Sequence, residues 1–320
     1  MMKYLNPYSV FMDLKNYLYD EKYFKQIQID TKIISIGNLN TGGSGKTPLI
    51  RFVAEILKNK KILIVCKSYK ATLKYPSEVN LTVSNAAQIY GDEACLLKQL
   101  LPGCDVWSGP SKSSTVFTAM LKRKYDIILI DDGFSHRKIF RHRDIVLIDA
   151  SRSRNHYQLF PFGQMREDWK TLKRSDLVIL TKTEGLPIEK IQFLKEKIKL
   201  YQPRWVCAYF KTEFETQPAS KKLFLIAAIA NPQKLKFDLV NSGYQILKEK
   251  IYSDHYAFPD SEQKLLLAHV NSHPELQAVM TGKDFVKITN QGLKNKIVTV
   301  EIHVSMSESD RKIFDDQILS

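Results

Sequence analysis

The sequence lacks any apolar run of about 18 residues or more, the length that a helix needs to span a bilayer. Its first residues also lack the order of a signal peptide, in which a basic stretch precedes an apolar stretch and a small-residue cleavage site. We therefore expect neither a transmembrane helix nor export.

Cysteine is scarce, with four residues in a chain of 320. The cysteines lie far apart and form no C-x-x-C pair: Cys66, Cys95, Cys104 and Cys207. This spacing argues for a reduced cytosolic compartment, and against a disulfide framework or a zinc site.

Acidic residues are outnumbered, since 34 Asp and Glu face 48 Lys and Arg and leave a formal net charge of +14. A strongly basic chain usually meets nucleic acid, an acidic membrane surface or a phosphorylated substrate. Much of the excess is lysine scattered along helices and edges, however, so the charge alone selects no partner.

Short apolar runs alternate with helical patterns and predict an α/β fold. Strands are predicted at 32–36, 61–66, 126–130, 144–148 and 176–180, with helices at 48–57 and 92–101. Apolar runs bounded by charges are typical of a parallel sheet that is covered on both faces.

A second cycle predicts a smaller α/β unit. Its strands fall at 223–229, 245–252, 278–280 and 296–304, and its helices at 233–240 and 261–270. We therefore divide the chain into a first unit at 31–210, a polar linker at 211–222 and a second unit at 223–320.

Residues 1–30 are predicted to carry one amphipathic helix. Asn6-Pro7 is a typical helix start, because the side chain caps the helix and the ring sits where no donor is needed. Apolar and aromatic residues then recur at helical spacing: Tyr8, Phe11, Met12, Leu14 and Leu18. Lysines border that face: Lys3, Lys15, Lys22 and Lys25. Such a helix either lies in a membrane interface or packs on its own domain.

The strongest motif is a glycine-rich segment between a predicted strand and a predicted helix. It reads Asn40, Thr41, Gly42, Gly43, Ser44, Gly45, Lys46, Thr47. Glycines let backbone N–H groups wrap phosphate oxygens, and the helix N-terminus adds partial positive charge. Lys46 is expected to reach the β- and γ-phosphates and the Thr47 hydroxyl to ligate Mg²⁺. Asn40 replaces the usual first glycine, and asparagine tolerates a left-handed backbone. The order of strand, glycine-rich turn and helix predicts a parallel sheet of the P-loop NTPase type.

A magnesium site also needs a carboxylate at the end of a neighbouring strand. Asp131 and Asp132 follow the predicted strand 126–130 and supply one carboxylate and a spare. The alternative is a pair of strand-end acids that caps the next helix.

The base of the nucleotide is indicated by Thr181-Lys182-Thr183-Glu184, at the end of another predicted strand. Guanine is selected by the aspartate of an N-K-x-D motif, and Glu184 with Thr181 is a poor substitute, so ATP is favoured. The alternative function is a P-loop GTPase or metallochaperone-like switch. A third class, a basic nucleic-acid-binding protein, needs basic and aromatic residues interleaved along one face, and we expect no nucleic-acid partner.

The motifs together resemble the tetraacyldisaccharide 4'-kinase (lipid A 4'-kinase) family in that family's order. They are Gly37-Asn38-Leu39, Gly42 to Pro48, Gly91-Asp92-Glu93, Asp131-Asp132-Gly133, His136-Arg137, Pro161, Gly163, Arg166-Glu167, Ile229 to Pro232, Asp254-His255, Thr281 and Lys283-Asp284. The resemblance implies transfer of phosphate from ATP, with Mg²⁺, to the 4'-hydroxyl of an acylated disaccharide 1-phosphate, giving lipid IVA.

The resemblance also implies residue roles. Asp92 would be the general base, His255 would orient it or relay its proton, and Lys46 would neutralise phosphate charge. Substrate contacts are expected from Tyr69, Glu93, His136, Arg166 and Glu167. Catalytic groups from both units would imply that domain closure assembles the site. We further expect a monomer bound peripherally to an anionic membrane surface, at the cytoplasmic face of the inner membrane.

Three departures from the family pattern stand out. The family's Ser-Arg-Gly-Tyr-Gly reads Cys66-Lys67-Ser68-Tyr69-Lys70, which puts the substrate-side loop in question. Ala228 replaces a glycine before Ile229-Ala230-Asn231-Pro232, and Gly282 replaces the glutamate of Thr-Glu-Lys-Asp.

Overall fold

A computed structural model describes residues 6–40, 43–68, 71–83 and 85–320. The predictions made for Thr41, Gly42 and Tyr69 therefore lie outside the described residues. None of the described helices is both long enough and apolar enough to cross a membrane.

The described strands join in one mixed sheet. They are β1 (Lys32–Asn38), β2 (Ile62–Lys67), β3 (Ser77–Glu78), β4 (Asp105–Gly109), β5 (Ile127–Asp131), β6 (Arg143–Asp149), β7 (Leu177–Thr181), β8 (Trp205–Phe214), β9 (Lys222–Ala227), β10 (Gln245–Ile251), β11 (Gln277–Thr281) and β12 (Ile297–Ser305).

Helices cover the sheet and occupy its connections. They are α1 (Pro7–Asp20), α2 (Lys46–Ile56), α3 (Ala86–Tyr90), α4 (Asp92–Leu100), α5 (Lys112–Lys122), α6 (Ile188–Lys199), α7 (Pro232–Asn241), α8 (Asp260–Asn271), α9 (Gly282–Phe285), α10 (Gln291–Lys294) and α11 (Glu308–Leu319). Short 3₁₀ turns lie at 154–157 and 169–174.

The strand order is β10-β9-β11-β12-β8-β7-β6-β1-β5-β2-β4-β3. Pairing is antiparallel between β8 and β12 and between β3 and β4, and parallel between the other neighbours. The predicted α/β class, with a P-loop-type parallel sheet and further α/β elements, is confirmed.

The centre of the first half of the sheet is β1, which lies between β6 and β5. From Ile33 to Leu39 the chain is buried, because helices cover both faces of this strand. The chain leaves β1 towards β2 on one side and later returns to β6 on the other. The carboxyl end of β1 is therefore a topological switch point, where open α/β sheets bind ligands.

The predicted linker at 211–222 needs new bounds. Its first residues continue β8 as far as Phe214, because they pair antiparallel with β12, and β9 begins at Lys222. The connection is therefore 215–221. Since β8 pairs with β7 at 205–208 and with β12 at 209–214, one strand joins the two halves of the sheet.

The N-terminal helix α1 packs on the first half of the sheet through polar contacts. The Asn6 side chain accepts hydrogen bonds from the N–H groups of Tyr8 and Ser9, as the Asn-Pro start predicts. Asn16 is buried, and its Nδ2 donates to Glu167 Oε2 at 3.1 Å. Arg137 donates to the Asn16 carbonyl at 3.0 Å. The body of the protein thus holds one face of α1.

Candidate active site

The phosphate-binding segment leads directly into α2. Gly45 is the residue before the helix, has φ 95° and provides no side-chain cap. Its left-handed backbone suits glycine, and a Cβ there would overlap the ring of Phe210 on β8. The first N–H groups of α2 lack a side-chain acceptor at the cap, as an anion-binding helix N-terminus requires.

Contacts from neighbouring strand ends support this loop. Lys182 Nζ donates to the Gly43 carbonyl at 2.7 Å, and Thr181 Oγ1 donates to the Ser44 carbonyl at 3.3 Å. Asn38 Nδ2 donates to Ser44 Oγ at 3.0 Å. The described part of the loop, from Gly43 onward, is thus fixed by bonds to its carbonyls and side chains.

Asn40 stabilises the loop in a way that the sequence did not indicate. It is not among the described residues with positive φ, so the left-handed backbone that asparagine tolerates is not adopted here. Its Nδ2 instead donates to the His156 carbonyl at 3.1 Å, and its backbone bridges to Met165. Asn40 therefore ties the loop to the segment that carries Arg166.

Asp131 and Asp132 lie beside the phosphate loop, because β5 pairs with β1 and Asp131 is opposite Ile36. Asp132 forms a bidentate pair with Arg166, at 2.6 and 2.8 Å, and lies 3.8 Å from Lys46 Nζ. Burial opposes the charged form, but Arg166 and Lys46 hold the pKa of Asp132 well below its ordinary value. Asp132 is therefore a carboxylate at neutral pH.

Asp131 has an environment that suits a metal ligand. It is buried, and its Oδ1 has no hydrogen-bond partner among the described residues. Burial raises the pKa of Asp131 to about 7, and the Glu93 carboxylate adds to the rise. An orphaned buried carboxylate oxygen costs stability unless a cation or donor satisfies it. Together with the Thr47 hydroxyl in the first turn of α2, this donor set fits Mg²⁺, which prefers oxygen ligands.

The predicted catalytic pair, Asp92 and His255, is brought together by one residue from each unit. Asp92 begins α4 behind Gly91, so Gly91 and not Asp92 occupies the cap position. His255 lies in a loop of the second unit with φ 65°, and its Nδ1 is 3.0 Å from Asp92 Oδ2. Glu93, the residue after Asp92, raises the pKa of Asp131, so the start of α4 faces the carboxyl end of β5.

A sequence model of the family described as LpxK, tetraacyldisaccharide-1-P 4'-kinase, matches residues 5–320. The tetraacyldisaccharide 4'-kinase of Bdellovibrio bacteriovorus is 34% identical, with 98% of this chain and 96% of the relative covered. The tetraacyldisaccharide 4'-kinase of Aquifex aeolicus is 29% identical, with coverages of 90% and 88%. The chain belongs to the tetraacyldisaccharide-1-P 4'-kinase family.

A solved structure shows that the family fold is kept. The crystal structure of the "apo" form of LpxK from Aquifex aeolicus in complex with ATP matches with a TM-score of 0.78. The match covers 97% of this chain and 96% of that chain at 24% identity. The 4'-kinase family resemblance predicted from the motifs is thus confirmed.

One residue at the site of this 4'-kinase family member was not predicted from the sequence. Lys112 is the first residue of α5, is 5% exposed, and its Nζ donates to the Asp132 carbonyl. Burial lowers the pKa of Lys112, and the carboxylates of Asp132 and Asp131 oppose that shift. The available signal was its position just beyond Gly109, at the same carboxyl edge of the sheet as the phosphate loop.

The position of Glu167 does not suit the substrate contact that the family resemblance implies. The carboxylate is fully buried, accepts from Asn16 Nδ2 and lies 3.2 Å from Arg174 Nη2. A carboxylate enclosed by these two partners anchors α1, so we correct its expected substrate role. Glu93, by contrast, is exposed beside Asp131 and remains a candidate substrate contact.

His136 lies near the aspartates without a partner for its Nε2 among the described residues. Burial lowers the pKa of His136 to about 4, and Lys112 and Arg141 add to the fall. The imidazole is therefore uncharged at neutral pH and does not act as a cation towards phosphate. Arg141 is itself engaged, because it donates to both carboxylate oxygens of Asp144.

The departure of this family member at Gly282 has a structural counterpart. A Cβ at Gly282 would overlap Oε1 of Glu301 on β12. The Glu301 carboxylate from β12 thus occupies the space in which any other residue at position 282 has its Cβ. Burial raises the pKa of Glu301 to about 8, with Glu215 adding to the rise and Arg51 opposing it.

Proposed function

We propose that this chain transfers the γ-phosphate of ATP to the 4'-hydroxyl of tetraacyldisaccharide 1-phosphate, giving lipid IVA in lipid A biosynthesis. The observation that supports the proposal is the Asp92–His255 contact at the start of α4, a helix that packs against α2 and whose Glu93 raises the pKa of Asp131. A base within reach of a nucleotide site is what phosphate transfer to an alcohol needs.

The reaction follows from these groups. The 4'-hydroxyl oxygen bonds to the γ-phosphorus of ATP, the bond from that phosphorus to the bridging oxygen breaks, and its electron pair leaves on ADP. The hydroxyl proton passes to the Asp92 carboxylate. Lys46 and the N–H groups at the start of α2 stabilise the phosphate charge. Because the transition state is loose, positioning and neutralisation supply most of the rate.

Mg²⁺ belongs to this proposal as a bound cofactor. Thr47, Asp131 and Asp132 are the residues that would hold it, and the orphaned Oδ1 of Asp131 supports the assignment. When bound, Mg²⁺ neutralises charge on the phosphate oxygens. Arg166 holds Asp132 in place from the opposite side.

ATP is the proposed nucleotide, and GTP is the alternative to be tested. The Glu184 carboxylate stands where a GTPase has its guanine-reading aspartate, and its Oε1 accepts from the Phe210 N–H at 3.3 Å. That bond engages one oxygen with the protein backbone and argues against pairing with a guanine edge. Competition of unlabelled GTP and ATP in the assay below measures the preference.

The test is a transfer assay with γ-labelled ATP, Mg²⁺ and detergent-dispersed tetraacyldisaccharide 1-phosphate. Label is expected to enter the lipid phase with the parent protein. Lys46→Ala is expected to reduce transfer by at least about 100-fold, because it removes a charge that the transition state needs. An exposed lysine on α8, changed in Lys264→Met, is the matched control. Transfer by Lys46→Ala at the parent rate would refute the proposal.

We also propose that α1 rests on an anionic membrane surface at the cytoplasmic face of the inner membrane. Phe11 and Leu14 are 64% and 55% exposed on the face of α1 opposite Met12 and Asn16, which are buried. The helix therefore packs on its own domain by one face and leaves a second apolar face outward. An outward apolar helix face with nearby lysines suits a membrane interface.

A loop extends this outward surface beyond the helix. Phe160 and Phe162 are 57% and 64% exposed, and the Phe160 ring lies 5.5 Å from that of Tyr8. Lys22 and Lys25 are exposed just after α1. Apolar anchors with neighbouring cations predict preference for anionic lipid.

Sedimentation with vesicles tests the membrane proposal. The parent is expected to bind vesicles containing phosphatidylglycerol more tightly than vesicles of phosphatidylcholine alone. Phe11→Ser with Leu14→Ser is expected to weaken binding at least about 10-fold, because two apolar side chains no longer leave water. Phe237→Ser, which changes a similarly exposed residue on α7, is the control. Equal binding by both variants would refute the assignment.

A further inference from the structure

Two lysines one helical turn apart contact the two members of the Asp92–His255 pair. Lys283 lies in α9 with its Nζ 3.2 Å from His255 Nε2. Lys287 follows α9 with its Nζ 3.5 Å from Asp92 Oδ2. Spacing of i and i+4 puts both side chains on one face of the turn. Neither lysine has a part in the chemistry described above.

The contact with Lys283 defines which imidazole nitrogen carries the proton. A lysine ammonium has three donors and no acceptor, so His255 Nε2 must accept from it. The ring proton is then on Nδ1, which donates to Asp92 Oδ2 at 3.0 Å. Asp254 Oδ2 is 3.8 Å from Nε2, beyond hydrogen-bond distance. Asp254 Oδ1 lies 3.5 Å from Lys283 Nζ and so helps to place the lysine.

Lys287 is held by a buried partner that also shapes the loop of His255. Its side chain is 4% exposed and lies 2.9 Å from Oδ1 of the fully buried Asp284. Asp284 Oδ2 accepts from the Ala228 N–H at 2.8 Å, and the Ala228 carbonyl accepts from the His255 N–H at 3.2 Å. One buried ion pair therefore fixes both the lysine that faces Asp92 and the backbone that carries the histidine.

We propose that Lys283 and Lys287 are positioning residues that orient the Asp92 carboxylate for proton transfer. Lys283 selects the His255 tautomer that can donate to Asp92, and Lys287 with His255 restrains Oδ2, so that Oδ1 faces the sugar hydroxyl. In the other tautomer, lone pairs of Nδ1 and Oδ2 would face each other and the pair would separate. The kinetic consequence rests on the proposed kinase reaction, whereas the tautomer does not.

The tautomer can be read from the ¹⁵N resonances of the histidine rings. His255→Asn assigns the His255 signals among the seven histidines. We expect a protonated Nδ1 and an unprotonated Nε2 in the parent and in Lys283→Gln, because the glutamine amide still donates. Lys283→Met has similar size without a donor and is expected to mix the two tautomers. A proton on Nε2 in the parent, or an unchanged Nδ1 proton in Lys283→Met, would overturn the proposal.

The same pair of variants shows whether catalysis needs the hydrogen-bond donor of Lys283 or its positive charge. Lys283→Met is expected to lower kcat about 10- to 100-fold, less than loss of a general base, with KM for ATP within about twofold. Lys283→Gln is expected to recover most of kcat although it also lacks the charge. Equal losses in both variants would contradict a role through the tautomer. Should no variant transfer phosphate, the ring resonances would still decide the proposal while the kinase assignment failed.

Lys287 needs a double variant, because Lys287→Met alone leaves Asp284 buried without its cation and destabilises the fold. Asp284→Asn with Lys287→Met removes both charges and keeps an amide oxygen for the Ala228 N–H. We expect a melting temperature and ATP affinity close to the parent, with kcat lowered about 10-fold or more. Parent-level kcat in the double variant would exclude Lys287 as a positioning residue.

Discussion

At the scale of single residues, the site depends on charges that are held by partners before any ligand arrives. Arg166 contacts three oxygen atoms at once, because its Nη2 donates to Asn38 Oδ1 at 2.6 Å while the guanidinium holds both oxygens of Asp132. Asn38 in turn contacts Ser44 of the phosphate loop. A single guanidinium therefore links the Asp132 carboxylate to the phosphate loop.

Replacing this guanidinium by a single ammonium should loosen the metal site. We expect Arg166→Lys to reduce kcat about 10- to 100-fold, the usual cost of losing a group that orients a metal ligand, and to raise the Mg²⁺ concentration needed for half-maximal rate. A lysine cannot form the planar two-bond contact with Asp132. Mg²⁺ titration of the transfer assay measures the effect, with Arg204→Lys at an exposed position as control. An unchanged Mg²⁺ requirement would contradict this reading of Arg166.

Glu301 makes stability depend on pH. Burial raises its pKa to about 8, so the folded protein keeps this proton at pH values where the unfolded chain has released it. Between the ordinary carboxyl pKa and about 8, the folded state binds more protons, and the free energy of unfolding therefore falls as pH rises. Glu301→Gln removes this dependence.

The expected result is a melting-temperature difference that grows with pH. Glu301→Gln should have nearly the same melting temperature as the parent at pH 5 and a higher one at pH 8.5. Only the parent has a carboxyl group at this buried position, and ionising it there costs stability. Thermal denaturation in matched buffers measures this. Glu213→Gln, a change on the neighbouring β8, controls for general surface charge. A constant difference across pH would show that Glu301 titrates in its ordinary range.

At the scale of elements, α9 and β12 meet at Gly282, where the family pattern has a glutamate. Gly282 at the start of α9 leaves the space that the Glu301 carboxylate of β12 fills. Leu96 of α4 also lies next to this point, so the three elements share one packed site. Restoring the family's glutamate at position 282 without further change should therefore crowd it.

Gly282→Glu is expected to destabilise the fold by about 1–3 kcal/mol, the usual cost of overpacking. Adding Glu301→Ala should recover most of that loss, because it vacates the space that the new side chain needs. Chemical denaturation of the two single variants and the double variant forms the cycle that measures the coupling. Additive effects in the double variant would mean that the two positions do not share this space.

Most elements could be predicted because their periodicity and boundaries agree. The runs at 32–36, 126–130 and 144–148 became β1, β5 and β6 with ends shifted by one or two residues. The continuation of β8 to Phe214 was not predictable, since Lys211 to Phe214 is polar and alternating and gains its structure from pairing with β12. Tertiary pairing, and not local propensity, formed that part of the strand.

The residues of the site also divide into those that local sequence predicts and those whose place depends on tertiary contacts. The phosphate loop and Asp131–Asp132 could be predicted because local order along the chain defines them. Lys112 and the two positioning lysines could not, since their roles depend on which strand ends and loops meet in space. Glu167 matched a motif but serves α1, because family resemblance transfers a residue and not its neighbours.

At the scale of the whole molecule, the second unit contributes to the core of the first. Helix α11 comes last in the chain, yet its Phe314 and Ile318 are fully buried in the core that contains Ile34 and Ile64. Lys32 Nζ of β1 also donates to the Ile318 carbonyl at 3.0 Å. The chain thus crosses to the second unit through β8 and returns through α11.

This return predicts that the two units unfold together. Phe314→Ala should reduce the free energy of unfolding by about 3–5 kcal/mol, because it leaves a cavity in the first unit's core. It should also weaken the link between units, so that denaturation monitored at Trp107 in the first unit no longer coincides with loss of secondary structure. Ile313→Ala, on the exposed side of the same helix, should cost little. Coincident transitions with a small loss in Phe314→Ala would show that α11 adds nothing to the first unit's stability.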